Sequence, residues 1–337
     1  MLAQIAKTAV EKSKIHYSTE VRRIVSGSQE GQSEKVTIET VQGDQLQFDE
    51  IVMTAPLGWL HKHQDAFVPE LPDRLSKAID SIGYGCLEKV YITFPRAFWQ
   101  EAKGQINNKA TQKTSAASDD KGNADLNKQR IAGFTQCLSP AYSENNPERW
   151  GQEILNLASL PSSCAQPALL FYIFGEQSKT QSAELAKLED DAERERYLDG
   201  FYKPYYSLLP NYIETDSDCQ PSNIYATDWL RDDLAGNGSY SNFQVGLEKG
   251  DEDIIAIREG LPGRGVWFAG EHTAPFVALG TVTGAYWSGE SVGKRIAEAY
   301  GIVEIPDIKV GKKIKVADDK KGKEVNVRGF ADKGLEA

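Results

Sequence analysis

The chain has 337 residues, 40% of them hydrophobic and 26% charged, with a formal net charge of −11. That length can bury one large core or two lobes, and the acidic balance argues against nucleic acid as a general partner, because phosphate contacts need a basic surface. Cys86, Cys137, Cys164 and Cys219 lie far apart with no CxxC pair, which argues against a disulfide framework or a zinc site.

Val36 to Val41 and Gln45 to Phe48 alternate around Gln42-Gly43-Asp44 and predict a β-hairpin. Ile51 to Thr54 reads as a buried strand stopped by Pro56. Pro72 to Ile82 reads as a helix with Leu75, Ala78, Ile79 and Ile82 on one face. Glu88 to Phe94 alternates as a strand, with Lys89, Tyr91 and Thr93 on one side and Val90, Ile92 and Phe94 on the other. Gln100 to Gln129 is polar and reads as a disordered loop. Leu169 to Phe174 predicts another buried strand, Glu184 to Phe201 one charged amphipathic helix, and Pro204 to Tyr212 a proline-bounded aromatic turn.

Val266 to Ala269 is a continuous apolar run, suited to a parallel strand covered on both faces. Gly270 follows, where the missing side chain lets a ligand or backbone approach. Val282, Ala285, Tyr286, Gly289, Val292 and Ile296 then recur at helical spacing, and Gly280, Gly284, Gly289 and Gly293 predict a slim helix that packs closely. A helix starting near Thr281 aims open N–H groups and its positive dipole end at whatever lies over the preceding loop. Beyond Gly301 the periodicity fades into a Lys-rich tail.

Four segments carry a resemblance. They are VWFAGEHTAPFVALGTVTGAYWSGESVG (266–293), IVMTAPLGWL (51–60), GYGCLEKVYITF (83–94) and DWLRDDLAGNGSYSNF (228–243). In order and content they resemble the flavin-containing amine oxidases, the family of polyamine oxidases, monoamine oxidases and flavin-dependent histone demethylases. The resemblance implies an α/β fold. A partial FAD-binding, Rossmann-like domain would occupy 1–85 and 248–300, and an α+β substrate-binding domain, a mixed sheet flanked by helices, 86–247, with the tail at 301–337. The GxGxxG turn that opens the family and cradles the FAD pyrophosphate occurs nowhere in this sequence. The chain therefore resembles the C-terminal two thirds of such a protein.

The resemblance also assigns roles. FAD is the implied cofactor, with Val21, Thr54 and Pro56 at its adenosine end and Gly270, Glu271, Thr281 and Val282 around its ribityl and ring end. Lys89 matches the family's lysine beside the flavin and is the implied catalytic residue, while Tyr240 and Trp229 match the substrate-cavity wall. The opposite aromatic wall would fall at Leu279 to Thr281, where this sequence has no aromatic. The implied reaction oxidises an amine C–N bond by hydride transfer to the flavin, with imine hydrolysis and H2O2 release. Its partners are a small amine or polyamine and O2, with no nucleic acid and no membrane. Neither a signal peptide, an apolar run of roughly 20 residues nor a peroxisomal terminus is seen, so the expected compartment is the cytoplasm, with the nucleus as the alternative.

Two rival readings come from other classes. Gly289-Glu290-Ser291-Val292-Gly293 matches the G-x-S-x-G elbow of serine hydrolases, but it lies in a helical pattern and no histidine follows His272. The second rival is a non-catalytic or partner-dependent relative of the amine oxidases, since the missing pyrophosphate cradle leaves half a cofactor site. With four histidines in all, His16, His61, His63 and His272, and no carboxylate at metal spacing, a metal site is not expected.

Overall fold

The computed structural model describes residues 2–27, 35–100, 131, 133–137 and 144–302. The expected loop after Gln100 and the Lys-rich tail lie almost wholly outside them. The chain divides into two compact units, one running to Tyr84 and resuming at Tyr240, the other spanning Gly85–Ser239.

The first unit opens with α1 (Leu2–Lys12) and a sheet of β1 (Val21–Val25), β2 (Val36–Thr40), β3 (Gln45–Phe48) and β5 (Phe67–Val68), ordered β3-β2-β1-β5. The hairpin forms where the alternation places it: Gly43 takes φ +93° and its N–H donates to Thr40 O at 3.0 Å. The two apolar strands, β4 (Ile51–Met53) and β13 (Val266–Phe268), pair in parallel with Ile51 opposite Val266 and Met53 opposite Phe268. Each satisfies the other's backbone along one edge, which a run buried on both faces requires. Around them close α2 (Leu57–Lys62), α3 (Asp73–Ser81), α6 (Gly250–Glu259) and α7 (Val282–Ala299). Ile51, Leu75, Ile79, Ile257 and Phe268 share one buried cluster, and Arg74 Nη1 donates to Asp253 Oδ1 at 2.6 Å. The short strands β6 (Gly83–Tyr84) and β12 (Ser241–Asn242) pair antiparallel.

Among the described residues the second unit holds one five-stranded sheet, ordered β11-β7-β10-β9-β8, from β7 (Glu88–Thr93), β8 (Phe134–Cys137), β9 (Gln152–Asn156), β10 (Ala168–Ile173) and β11 (Asn223–Ala226). Every ladder is antiparallel, which refines the mixed sheet that the resemblance implied. Its core gathers Val90, Ile92, Phe94, Trp99, Phe171, Tyr202 and Tyr206.

The helical region of this unit departs from the sequence expectation twice. The single helix expected over Glu184 to Phe201 is two, α4 (Gly175–Leu185) and α5 (Asp191–Tyr206). Asp190 caps the second, its side chain accepting from Glu193 N at 2.7 Å, while Glu193 Oε2 accepts from Glu189 N at 3.1 Å. Both bonds satisfy backbone donors at the helix start and favour a break there. Pro204, expected to bound a turn, instead lies inside α5. A helical proline strands the carbonyl four residues back; here that carbonyl belongs to Gly200, and Asn145 Nδ2 donates to it at 2.6 Å.

Candidate flavin and substrate site

In the first unit, parallel pairing carries the carboxyl ends of β4 and β13 to the same edge, where open α/β sheets bind their ligands. Thr54 follows one strand and is exposed; Gly270 follows the other by two residues. Pro56 precedes α2, its carbonyl accepting from Trp59 N at 2.9 Å. Val21 starts β1, in a different sheet. Gly270 has φ +147°, and a Cβ there would stand 2.6 Å from His272 Cε1, so only glycine fits. Gly270 N donates to Ser288 Oγ at 2.8 Å, strapping the turn to α7.

Glu271, His272 and Thr273 form one turn of 3-10 helix. Glu271 Oε1 accepts from Ser241 N at 3.0 Å and Ser241 Oγ at 2.8 Å, and Oε2 accepts from Gly280 N at 2.8 Å. A carboxylate offers about four acceptor positions, so one on Oε2 stays open beyond these three. Thr281 caps α7, Oγ1 accepting from Gly284 N at 2.9 Å. The first-turn amides of Val282 and Thr283 have no partner among the described residues, and the Val282 side chain is 72% exposed. Gly284 packs on the loop before the helix, since a Cβ there would meet Ala278 O at 2.1 Å, whereas a Cβ at Gly289 or Gly293 would meet nothing within 4 Å. The slim-helix expectation is thus corrected to one turn, where the backbone loop crosses the helix. Ser291 lies within α7, with helix on both sides.

His272 is 1% exposed, and its Nε2 has no hydrogen-bond partner among the described residues. Burial, with a smaller contribution from His61, lowers its pKa to about 4, so the ring is neutral at physiological pH. Tyr240 is half-buried and lies against Gly280.

In the second unit, Lys89 stands mid-sheet on β7 opposite Tyr172, with Nζ 5.6 Å from the Tyr172 ring centroid. Its backbone N–H donates to Thr227 Oγ1 at 2.8 Å, and Thr227 N donates back to Lys89 O at 2.9 Å. Trp229 lies two residues further on, 41% exposed in a single turn of 3-10 helix. The residue that binds these parts was missed in the sequence. Glu88 is 1% exposed, and its carboxylate accepts from Thr227 Oγ1 and, at 2.9 Å, from Leu230 N, bracketing Trp229. The signal was present, because Glu88 is in phase with Val90 and Ile92 on the inward side of the strand.

The open amides of α7, the bare Gly270 turn and the free position on Glu271 suit the ring and ribityl end of FAD, where reduction adds negative charge. Among the described residues no group of three or more His, Cys, Asp and Glu is arranged to hold a metal ion, and no helix is long and apolar enough to cross a membrane.

Residues 1–297 match the family model of the flavin containing amine oxidoreductases. Lysine-specific histone demethylase 1 homolog 2 of Arabidopsis thaliana is 29% identical over 254 residues, covering 75% of this chain and 27% of the relative. Human peroxisomal N(1)-acetyl-spermine/spermidine oxidase is 26% identical over 248 residues, covering 72% of this chain and 42% of that protein. A redesigned putrescine oxidase superposes with TM-score 0.56 at 13% identity, covering 88% of this chain and 52% of its own. The chain therefore spans under half of each of those two curated relatives. A match over residues 1–297, nearly the whole chain, places this chain in the family of flavin-containing amine oxidoreductases, whose cofactor is FAD.

Proposed function

We propose that this chain binds the flavin end of FAD at the carboxyl ends of β4 and β13 and serves oxidation of a cationic amine, a polyamine before a simple monoamine. The observation that carries the reading is the meeting of Glu271, Gly280, Tyr240 and the open α7 start in one unit. FAD, when bound, supplies the two-electron acceptor for the amine C–N bond, with O2 as final oxidant and H2O2 released. The chain's own residues bind and orient. Gly270 and the Val282 and Thr283 amides face the ring end, and Thr281 holds that helix start in place. Glu271 offers its open Oε2 position to a ribityl hydroxyl, while Thr54, Pro56 and Val21 serve the adenosine end. Lys89 holds a water by its ammonium group. The Tyr240 ring face receives the amine nitrogen, since an aromatic face attracts a cation, and in the second unit Trp229 offers an exposed ring to the same class of group. The net charge of −11 raises the local concentration of cationic substrates.

The test begins with colour and peroxide. The full chain is titrated with FAD and followed by flavin absorbance, then assayed for peroxide with spermine, spermidine, acetylated polyamines, monoamines and a methyl-lysine peptide. Lys89→Met should slow turnover about 100-fold, the loss typical of removing one preorganised electrostatic group; unchanged rates remove Lys89 from the site. A second reading, a non-catalytic or partner-dependent member, has its own observation: Phe276 at 62%, Val277 at 84% and Val282 at 72% exposure form apolar surface beside α7. Protein that stays colourless with excess FAD favours that reading.

A further inference from the structure

Tyr240 sits in a part of the molecule with little to hold it. It immediately precedes β12, whose ladder to β6 consists of Ser241 opposite Tyr84 and Asn242 opposite Gly83, far short of a self-supporting strand pair. What holds β12 is a carboxylate from elsewhere in the unit. Glu271 accepts from both the N–H and the hydroxyl of Ser241, at 3.0 and 2.8 Å, and from Gly280 N at 2.8 Å. Hydrogen bonds to an ionised acceptor are about twice as strong as neutral ones, so this single side chain ties two segments 39 residues apart in sequence, from 241 to 280.

Gly280 is the second half of the device. Its φ is +70°, and a Cβ there would stand 2.7 Å from Tyr240 Cδ2 and 3.2 Å from Ser241 O. The ring is thus seated on bare backbone. Glu271 draws β12 toward the α7 start, and the missing side chain at position 280 sets how closely the ring approaches.

We propose that Glu271 is a positioning residue for the substrate: by tying Ser241 to Gly280 it fixes the Tyr240 ring at a set distance from the α7 amides, separately from any contact Glu271 makes with the cofactor. The inference rests on the reading of Tyr240 as a substrate wall. It also gives Gly280 a role in specificity, because any side chain there pushes Tyr240 away from the position in which Glu271 holds it.

Glu271→Gln separates the two halves of the tie. One amide oxygen can still accept both Ser241 donors, but the amide NH2 then faces Gly280 N, donor against donor. In the full chain, amide hydrogen exchange at Gly280 should accelerate about tenfold while Ser241 stays protected, the effect of losing one such bond. In the FAD-loaded chain, with rates normalised to bound flavin, the KM for the amine should rise about tenfold, by more than kcat falls, a loss of binding rather than of chemistry. Gly280→Ala should raise KM in the same way. Lower FAD content with unchanged exchange at Gly280 would show Glu271 acting on the cofactor alone and overturn the proposal, as would a fall in kcat at constant KM. If the wild-type chain oxidises no amine, the exchange arm still reads the tie, and it is the oxidase reading that fails. Unchanged exchange with intact wild-type turnover sinks the tie and leaves the oxidase reading standing. Should Glu271→Gln fail to fold, Ser241→Ala removes only the hydroxyl donor and should give the same KM signature at about threefold.

Discussion

The two units place their candidate functional residues by different means. In the second unit Lys89 is set by register: β7 lies between β11 and β10, Lys89 pairs with Tyr172 of β10, and on its other side Thr227, one residue past β11, bonds both its N–H and its carbonyl. In the first unit Glu271, Thr281 and Tyr240 lie on turns between short elements, and side-chain-to-backbone bonds hold them instead: Ser288 on Gly270, Thr281 on Gly284 and Glu271 on Ser241 and Gly280. The second unit uses the same device where its sheet ends. Beyond β11 the chain leaves the ladder, and there Glu88 bonds Thr227 and Leu230 around Trp229. Ladders position residues within a sheet; side chains bonded to backbone position those that leave it.

The largest test of this contrast is acid. All four histidines, His16, His61, His63 and His272, belong to the first unit. His272 has a pKa of about 4 when folded, against an ordinary 6.5. Between those values the unfolded chain binds a proton that the folded one refuses, so the neutral ring's contribution is complete above pH 6.5 and is lost as pH falls toward 4, by at most about 3 kcal/mol. Hydrogen exchange resolved by peptide should therefore show the first unit loosening over that range while β7 and β10 stay protected, and His272→Gln should flatten the slope. Equal loosening of both units would break the comparison.

Next comes Glu88→Ala. It strands Leu230 N and frees Thr227, and should cost about 2 kcal/mol in urea unfolding while raising the exposure of Trp229 to a fluorescence quencher, because a buried donor left without its partner bears its full desolvation cost. A neutral result would mean that the loop is held by the sheet alone. The smallest effects are the helix caps. Thr281→Ala in the first unit and Asp190→Ala in the second should each cost about 1 kcal/mol, read as faster exchange confined to the first turns of α7 and α5 respectively. Loss of protection spreading through one whole unit would mark that unit as the more cooperative.

Much of the local structure was legible. The 36–48 hairpin, the strand at Glu88 and the helix starting after Thr281 follow from alternation, turn glycine and cap, which are local signals. The helical stretch after β10 was misread because charged residues keep helical spacing through Ala186–Asp190. The break lies in the Asp190-to-Glu193 bonds, which the D-x-x-E spacing records, and Pro204 is accommodated by Asn145, 59 residues earlier in the chain. Periodicity cannot report a bond to so distant a partner.

The same division applies to the site. By itself the sequence determined the family resemblance, the flavin motif and the individual residues, since a motif is a run of neighbours and its chemistry is written in their order. It could not determine what those residues hold. Glu271 read as a side chain for the cofactor and proves to bond Ser241 and Gly280; Glu88 read as one more strand residue and proves to bracket Trp229. Only the tertiary structure decided this, because a buried or half-buried carboxylate must find donors, and the donors that come within 3 Å are chosen by how the chain folds back on itself.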